Sequence, residues 1–306
     1  GGIDSSLIAA IARRYRPLKS FSVGFESAAY DESPFAERVA TRLGTHHKTI
    51  KLDESTIEVI ATRLPAVFDE PFGDPSIIPA IFMSEIASNE VKVALTGDGG
   101  DELFYGYNRH IFAAVADRNP NISRLLTKMK LPQNLAQALD PLGNALRIKT
   151  ASEKLEKLTR IHGALQDRNY LRMISNSGSG ELLANAGGQL TFDLPDYVRE
   201  NDINIYQQSG TLVKSDRSSM AAGLELRAPL LQAPVLAYAQ KHATAKTEIR
   251  RFSGKTSLRR LAYELVGKDL LNRPKAGFTP PIASWLSGPL ESWARDGVAK
   301  LEESSY

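Results

Sequence analysis

Cysteine is absent from the 306 residues, and its absence removes several kinds of chemistry. Disulfides, thiolate nucleophiles and zinc sites built on cysteine all require it. No apolar run approaches the roughly 20 residues that a membrane-spanning helix needs, and the first residues lack the pattern of a signal or transit peptide. The sequence therefore predicts no membrane association, and the cytoplasm is the expected location.

Charge of one sign is scarce as well. Lys and Arg number 38 and Asp and Glu number 35, so the formal net charge is only +3. Because no long single-sign run is present, we expect neither a nucleic acid nor an anionic membrane as a partner. Two nucleotide motifs are also missing: the sequence has no G-x-G-x-x-G, and Gly254-Lys255-Thr256 lacks the glycine that a Walker A loop needs at position 249, where Ile249 stands.

Residues 1–110 alternate short apolar runs with helical patterns, which is typical of a parallel sheet flanked by helices. The expected strands cover residues 19–25, 46–52 and 91–95, the first and the last as buried strands, and the expected helices include residues 54–67 and 76–88. Another helix should begin at Ser33-Pro34 and end before Gly44, because Pro suits the first turn and Gly the position after the last.

Helical periodicity dominates from about residue 111, for example at residues 152–165. The predicted fold class is therefore α/β: a twisted parallel sheet flanked by helices in a nucleotide-binding part, residues 1–110, followed by a mainly helical part, residues 111–306, that completes the site.

The chain opens on Gly1-Gly2-Ile3-Asp4-Ser5-Ser6, directly before an amphipathic helix that contains Leu7. Glycines permit close backbone approach, hydroxyls donate hydrogen bonds, and a helix N-terminus attracts anions, so this loop is suited to phosphate. Asp4, a carboxylate beside an anion, is then best explained as a Mg²⁺ ligand. A plain glycine turn with a serine N-cap is the alternative. Since the first residue lies inside the motif, we expect the natural chain to extend upstream.

A second acidic loop, Thr96-Gly97-Asp98-Gly99-Gly100-Asp101-Glu102, follows the strand predicted at residues 91–95. The carboxyl end of such a strand is where open α/β sheets bind ligands. An unpaired acidic cluster is costly, so Asp101 is predicted to be a second Mg²⁺ ligand and Asp98 a base or a positioning group. A solvated turn with acidic residues at a helix start is the alternative.

Basic residues recur late in the chain among Gly, Pro and aromatic residues, and some of them are candidates to contact phosphates: Lys214, Arg217, Arg227, Lys255, Arg259, Arg273 and Lys275. Charge density does not select among them, because exposed Lys and Arg are usually solvated surface.

Together these motifs resemble the synthetase domain of glutamine-dependent asparagine synthetases, in the PP-loop ATP pyrophosphatase superfamily, whose loop reads S-G-G-x-D-S. The resemblance extends over most of the chain, residues 111–200 being weakly diagnostic, and rests on these further blocks: residues 22–25, 30–34, 69–76, 95–107, 214–221, 224–229, 273–278 and 285–286.

The resemblance implies a set of roles. Residues Gly1, Gly2, Asp4, Ser5 and Ser6 would hold the pyrophosphate part of ATP, and Val23, Thr96 and Gly97 would line the nucleotide site. Asp4 and Asp101 would bind Mg²⁺, and Asp98 would act in forming the acyl-adenylate. Lys275 would stabilise the intermediate and pyrophosphate. Arg227 is a further catalytic candidate.

The implied reaction is adenylation of a carboxylate, with aspartate as the expected substrate, followed by attack of ammonia. In the full-length family enzyme, ammonia comes from glutamine through an N-terminal glutaminase domain with a cysteine nucleophile. That domain is the expected partner of this chain, and a homodimer is compatible with the sequence.

Three departures from the family pattern leave the substrate open: Asp98 stands where many members have Glu, Tyr105 replaces a frequent Gly, and Gln232 replaces Asp. One alternative is amidation of another carboxylate, such as a sugar acid. The other is a non-catalytic nucleotide-binding module.

Overall fold

The computed structural model describes residues 2–118, 194–272 and 280–303. The chain divides into two compact units, each assembled from separate stretches. Unit 1 consists of residues 1–98, 210–229 and 258–306, and unit 2 of residues 99–209 and 230–257. The division into parts 1–110 and 111–306 stays a prediction, and the helix expected at residues 152–165 lies outside the described residues.

Unit 1 begins with alternating helices and strands: α1 (Ile3–Arg13), β1 (Lys19–Phe25), α2 (Ser33–Leu43), β2 (His46–Leu52), α3 (Glu54–Val67), α4 (Ile77–Ser88) and β3 (Val93–Leu95). Its later stretches contribute the helix Val213–Met220, β4 (Glu225–Arg227), most of the helix Thr256–Leu265, and the helices Lys268–Leu271, Ile282–Leu286 and Glu291–Glu303.

Helices are the main regular elements among the described residues of unit 2. It contains α5 (Gly100–Leu103), α6 (Asn108–Arg118), the helix Leu194–Asn201, most of a π-helix at Asp202–Leu212, and the helices Ala233–His242 and Ala245–Glu248. A 3₁₀ turn at Pro229–Leu231 lies at its edge.

The strands of unit 1 pair in parallel, as expected, but in two separate pairs. β1 and β2 align over their whole length, from Lys19 opposite His46 to Phe25 opposite Leu52. β3 pairs with β4, with Leu95 opposite Arg227. The α/β class is therefore confirmed, whereas one continuous twisted sheet is not seen among the described residues.

The strand predicted at residues 91–95 is shorter and more exposed than expected. It begins at Val93, and Val93 and Leu95 are 37% and 43% exposed. The expectation of a buried strand was wrong, because an apolar run alone does not show whether both faces of a strand are covered.

Local sequence signals set the other boundaries. Pro34 lies in the first turn of α2, and Gly44 ends that helix with φ 63°, a left-handed conformation that glycine adopts without strain. Asp53 caps α3 by accepting a hydrogen bond from the Thr56 N–H at 2.8 Å. The predicted helix bounds follow these caps closely.

The main core of unit 1 lies between β1, α3, α4 and the late helix Ile282–Leu286. Phe25 packs against Trp285 with ring centroids 6.2 Å apart, and Phe68 stacks on Phe72 at 5.0 Å. The buried members of this core are Val23, Phe25, Leu52, Ile57, Ile60, Ala61, Phe68, Ile77, Ile78, Ile81, Trp285 and Leu290. The C-terminal helices thus complete the core of the N-terminal α/β segment.

Across the part of the chain that the structure describes, no helix is both long and apolar enough to span a bilayer.

Two exposed glycines of unit 1 test how backbone conformation sets stability. A Cβ at Gly297, inside the helix Glu291–Glu303, or at Gly223 would meet nothing within 4 Å, but Gly223 has φ 65°. We expect Gly297→Ala to raise the free energy of unfolding by about 1 kcal/mol, because alanine favours the helix. Gly223→Ala should lower it by about 1–2 kcal/mol, because its Cβ is strained in the left-handed region.

Urea denaturation of both variants checks this pair, and each is the steric control for the other. Equal effects of the same sign would show that the assigned backbone conformation of Gly223 is wrong.

Candidate active site

The N-terminal motif lies at the start of a helix rather than in a loop before one. Gly2 is extended, with φ −76° and ψ 167°, and α1 begins at Ile3, so the sequence-based expectation that the helix starts near Leu7 was wrong. The Ser6 N–H donates to the Gly2 carbonyl at 3.1 Å, which closes the first turn. Asp4, Ser5 and Ser6 therefore occupy the first turn, where N–H groups attract anions. Gly1 lies outside the described residues.

Gly97 brings the second loop against this helix start. A Cβ on Gly97 would lie 2.9 Å from both the Asp4 Cβ and the Ser5 nitrogen, closer than real Cβ atoms approach other atoms. Only glycine allows this contact without displacing the backbone of α1. Both predicted phosphate-site segments of unit 1 thus meet at one point.

Asp98 is held beside that point by two hydroxyl groups. Thr96 Oγ1 donates to Asp98 Oδ2 at 2.9 Å, and Ser215 Oγ, from the helix Val213–Met220, lies 3.1 Å from the same oxygen. These hydrogen bonds orient the carboxylate. Both partners are neutral hydroxyl groups, so neither of them offsets the carboxylate charge. This arrangement suits a group that accepts a proton or orients a substrate.

The rest of the acidic loop belongs to unit 2. Asp101 Oδ1 forms an ion pair with Lys255 Nζ at 2.9 Å. Glu102 is buried and accepts a 2.5 Å hydrogen bond from the Tyr107 hydroxyl, and burial raises the pKa of Glu102 above its ordinary value. Asp101 and Glu102 therefore have different environments: Asp101 is ion-paired with Lys255, whereas Glu102 is hydrogen-bonded to Tyr107.

Three of the basic candidates are paired with acidic residues inside unit 1. Lys214 Nζ lies 2.7 Å from Asp74 Oδ2, and Arg217 Nη1 lies 2.7 Å from Asp69 Oδ2. Arg227 is exposed, and its Nε donates to Glu225 at 2.7 Å.

The Asp74 pair joins two sequence blocks that lie 140 residues apart. Burial alone would raise the pKa of the Asp74 carboxyl, but Lys214 and hydrogen bonds from Ser76 hold this pKa below its ordinary value. Asp74 is therefore ionised at neutral pH and fixes the helix that carries Ser215.

The structure tests the predicted role of neither Val23 nor Lys275. Val23 is 5% exposed and packs in the unit 1 core, so its side chain supports β1 from the inside. Lys275 lies outside the described residues. The roles assigned to both remain predictions.

A buried polar cluster in unit 2 was not identified from the sequence. Arg109 Nε and His110 Nε2 each lie 2.6 Å from the same oxygen of Asp202, and the Arg109 guanidinium lies 3.9 Å from the Tyr107 ring centroid. Burial lowers the pKa of His110, so its neutral ring donates from Nε2 while Arg109 balances the Asp202 charge. This cluster joins α6 to the π-helix Asp202–Leu212.

Tyr105 is a second residue whose role the sequence only hinted at. It is fully buried with φ 56°, the conformation that favours the glycine it replaces in the family pattern. Its hydroxyl donates to Asp196 at 2.5 Å, and burial, followed by that hydrogen bond, raises the pKa of Tyr105. The departure from glycine was the signal that could have indicated an unusual backbone conformation.

Asp4 in unit 1 and Asp101 in unit 2, the two predicted Mg²⁺ ligands, each carry a carboxylate, and Mg²⁺ prefers oxygen ligands. Among the described residues, no group of three or more His, Cys, Asp or Glu side chains is placed to hold a metal ion. Mg²⁺ in nucleotide sites is commonly held by one or two carboxylates together with phosphates and water, so a single carboxylate is compatible with a metal that arrives with a nucleotide.

Comparison with known proteins identifies one family. The profile described as asparagine synthase matches residues 1–306. Asparagine synthetase [glutamine-hydrolyzing] 1 of Bacillus subtilis is 32% identical over 100% of this chain and 49% of its own length. A putative asparagine synthetase [glutamine-hydrolyzing] of Mycobacterium bovis is 32% identical over 96% of this chain and 46% of its own length. The chain therefore spans about half the length of these curated relatives.

The Lys214–Asp74 pair predicts a pH-dependent stability difference. Lys214→Met should lower the free energy of unfolding by about 1–3 kcal/mol at pH 7, because the partly buried Asp74 carboxylate loses its cation. Since the pKa of Asp74 is lower in the folded than in the unfolded protein, this contribution is present at neutral pH and is lost as the pH falls through the folded-state pKa.

In urea denaturation the deficit of the variant should therefore be full at pH 7 and smaller at about pH 3, because the loss begins only below 3.8, the ordinary pKa of Asp. Lys300→Met, on the exposed face of a unit 1 helix, is the control and should show little deficit at either pH. A deficit that stays constant with pH would contradict the assignment of the pair.

Proposed function

The chain belongs to the asparagine synthase family, and on that premise we propose that it catalyses ATP-dependent amide synthesis with aspartate as the carboxylate substrate. The products are asparagine, AMP and pyrophosphate. The observation that carries this proposal is the contact of Gly97 with Asp4 and Ser5, which brings residues 96–98 to the first turn of α1 within unit 1.

The reaction has two steps. A carboxylate oxygen of aspartate attacks the α-phosphorus of ATP, and the bond from that phosphorus to the bridging oxygen of pyrophosphate breaks. Ammonia then attacks the acyl carbon, the acyl–oxygen bond breaks, and AMP leaves. Both steps need oriented reactants and neutralised phosphate charge more than a covalent enzyme intermediate, and this chain contains no cysteine to form a thioester.

Each candidate residue has a role in this scheme. The N–H groups at the start of α1, with Ser5 and Ser6, bind phosphate oxygens, and Asp98 accepts a proton from the attacking ammonia or orients the aspartate substrate. Asp4 and Asp101 are each proposed as Mg²⁺ ligands, and the metal would supply positive charge to the phosphates. Lys275 and Arg227 are the proposed cations for the intermediate and pyrophosphate.

The ammonia source lies outside the chemistry of this chain. The relatives carry "glutamine-hydrolyzing" in their names and are about twice as long, so we propose that a glutaminase domain supplies ammonia in the whole protein. The 306-residue chain by itself should depend on ammonium. The cytoplasm, where aspartate and ATP are available, remains the proposed location.

Pyrophosphate exchange tests the activity directly. With Mg²⁺, the chain should incorporate labelled pyrophosphate into ATP only when aspartate is present, and adding ammonium should yield asparagine. Glutamine should neither replace ammonium nor be hydrolysed. Exchange that depends on a sugar acid instead of aspartate would support the alternative substrate class, and ATP binding without any exchange would indicate a non-catalytic module.

Asp98→Asn tests the proposed role of the carboxylate. The amide matches its shape and its oxygen still accepts hydrogen bonds from Thr96 and Ser215, but it cannot accept a proton. We expect asparagine formation to fall by about 10²–10⁴-fold with little change in the KM for ATP.

Asp296→Asn, on an exposed helix of unit 1, is the matched control and should keep wild-type rates. Asp98→Glu adds the methylene found in many family members and should keep more activity than Asp98→Asn. An Asp98→Asn rate within threefold of wild type would remove Asp98 from the catalytic residues.

A further inference from the structure

Lys255 places a buried positive charge against the acidic loop. The residue is 5% exposed, and its Nζ lies 2.9 Å from Asp101 Oδ1. A lysine that is buried to this extent is usually paired, because an isolated ammonium group loses its hydration. Lys255 and Asp101 therefore form an ion pair in which the cation is largely removed from water.

The backbone around the pair is held at two further points. The Lys255 N–H donates to the Phe104 carbonyl and the Gly106 N–H donates to the Asp101 carbonyl, at 2.9 and 2.8 Å. A Cβ on Gly106 would overlap both Lys255 Cε and Asp101 Oδ1. The lysine side chain reaches Asp101 only because residue 106 has no side chain, and a larger residue at this position would block the contact.

The segment that delivers Lys255 is strained. Arg250 and Ser253 exchange two backbone hydrogen bonds of 2.9 Å across a tight turn, in which Arg251 and Phe252 have φ 48° and 59°. Turns of this shape normally use Asn and Gly, and Lys255 itself also has φ 60°. Such conformations cost free energy and persist only where the surroundings enforce them, as they often do at functional sites.

The base of this segment is anchored by Glu248. The side chain is 1% exposed and accepts hydrogen bonds from the Ser257 N–H at 3.0 Å and from the Ser257 hydroxyl at 2.6 Å. The anchor fixes both ends of the strained turn, so the position of Lys255 is set by the fold of unit 2.

We propose that Lys255 is a positioning residue that fixes the orientation of the Asp101 carboxylate for Mg²⁺ bound with ATP. This inference rests on the proposed function, since it gives Lys255 a purpose only if Asp101 is a metal ligand. Holding Oδ1 fixes the plane of the carboxylate, and the ammonium charge partly offsets the carboxylate charge. Groups that orient metal ligands in this way typically change metal affinity by about 10–100-fold when they are removed.

The test measures metal dependence as well as activity. For wild type, Lys255→Met, Asp101→Asn and the double variant, the free Mg²⁺ concentration that gives half of the thermal stabilisation by ATP is determined. The pyrophosphate exchange rate is then measured at saturating Mg²⁺. Lys246→Met, an exposed lysine of unit 2, is the control.

We expect Lys255→Met to raise the half-saturating Mg²⁺ concentration by about tenfold or more, with the control unchanged. In the Asp101→Asn background, the same substitution should have little further effect, because Lys255 acts through Asp101. A shift below twofold, or an equal shift in both backgrounds, would overturn the inference.

A chemical rescue covers the case in which Lys255→Met does not fold. Because the chain has no cysteine, Lys255→Cys introduces a single thiol. Under denaturing conditions, bromoethylamine converts it to a lysine-like side chain and bromoethanol to a neutral one of similar size, and both proteins are then refolded. The amine should restore the wild-type Mg²⁺ dependence and the hydroxyl should not. Equal Mg²⁺ dependence of the two adducts would contradict the proposal.

The wild-type protein separates the two levels of inference. If wild type shows neither stabilisation by ATP with Mg²⁺ nor exchange, the proposed function is wrong and the role of Lys255 is lost with it. If wild type responds and the Lys255 variants match it, the function stands and only the positioning role is overturned.

Discussion

The close approach of Gly97 to the first turn of α1 is the contact on which the candidate site in unit 1 depends. A side chain at this position would collide with the backbone at Ser5, so the end of β3 would have to move away from the helix. With glycine there, the N–H groups of the first turn and the Asp98 carboxylate are held near one another by the backbone. The missing side chain of Gly97 sets the distance between the two segments, and the hydrogen bonds from Thr96 and Ser215 set the orientation of the Asp98 carboxylate.

Within each unit, several of the candidate cations are paired with carboxylates. Lys214, Arg217 and Arg227 each contact a carboxylate of unit 1, and Lys255 contacts Asp101 in unit 2. We propose that a bound triphosphate would draw charge neutralisation from Mg²⁺ and the N-terminus of α1, in addition to the proposed cations Lys275 and Arg227. The Lys214–Asp74 pair instead stabilises the helix that presents Ser215 to Asp98, so its contribution to the site is indirect.

Local signals made much of unit 1 predictable from its sequence. β1, β2 and α3 have the predicted bounds, and α2 ends at Gly44 as expected, because caps, turns and periodicity are properties of neighbouring residues. The pairing of Asp74 with Lys214 and the cluster of Arg109, His110 and Asp202 were not predictable, since the partners are far apart in sequence and a charged residue alone does not indicate burial. The exposure of β3 was misjudged for a similar reason: it depends on what packs on each face.

Strain in unit 2 supports a functional interpretation of the acidic loop. Among the described residues, the non-glycine residues with positive φ are Tyr105, Arg251, Phe252 and Lys255, and all lie in the two segments that meet at the Asp101–Lys255 pair. If stability alone had shaped this region, glycine or asparagine would serve at these positions with less strain.

The buried hydrogen bond from Tyr105 to Asp196 shows how one strained residue is held. The hydrogen bond of the phenol to Asp196 holds the Tyr105 side chain in place. The carbonyl of Tyr105 packs against Gly254, so the backbone before Lys255 has little room to move. Rigid placement of a carboxylate and its cation is what a metal-binding loop requires, and a loop needed only for folding has no comparable requirement.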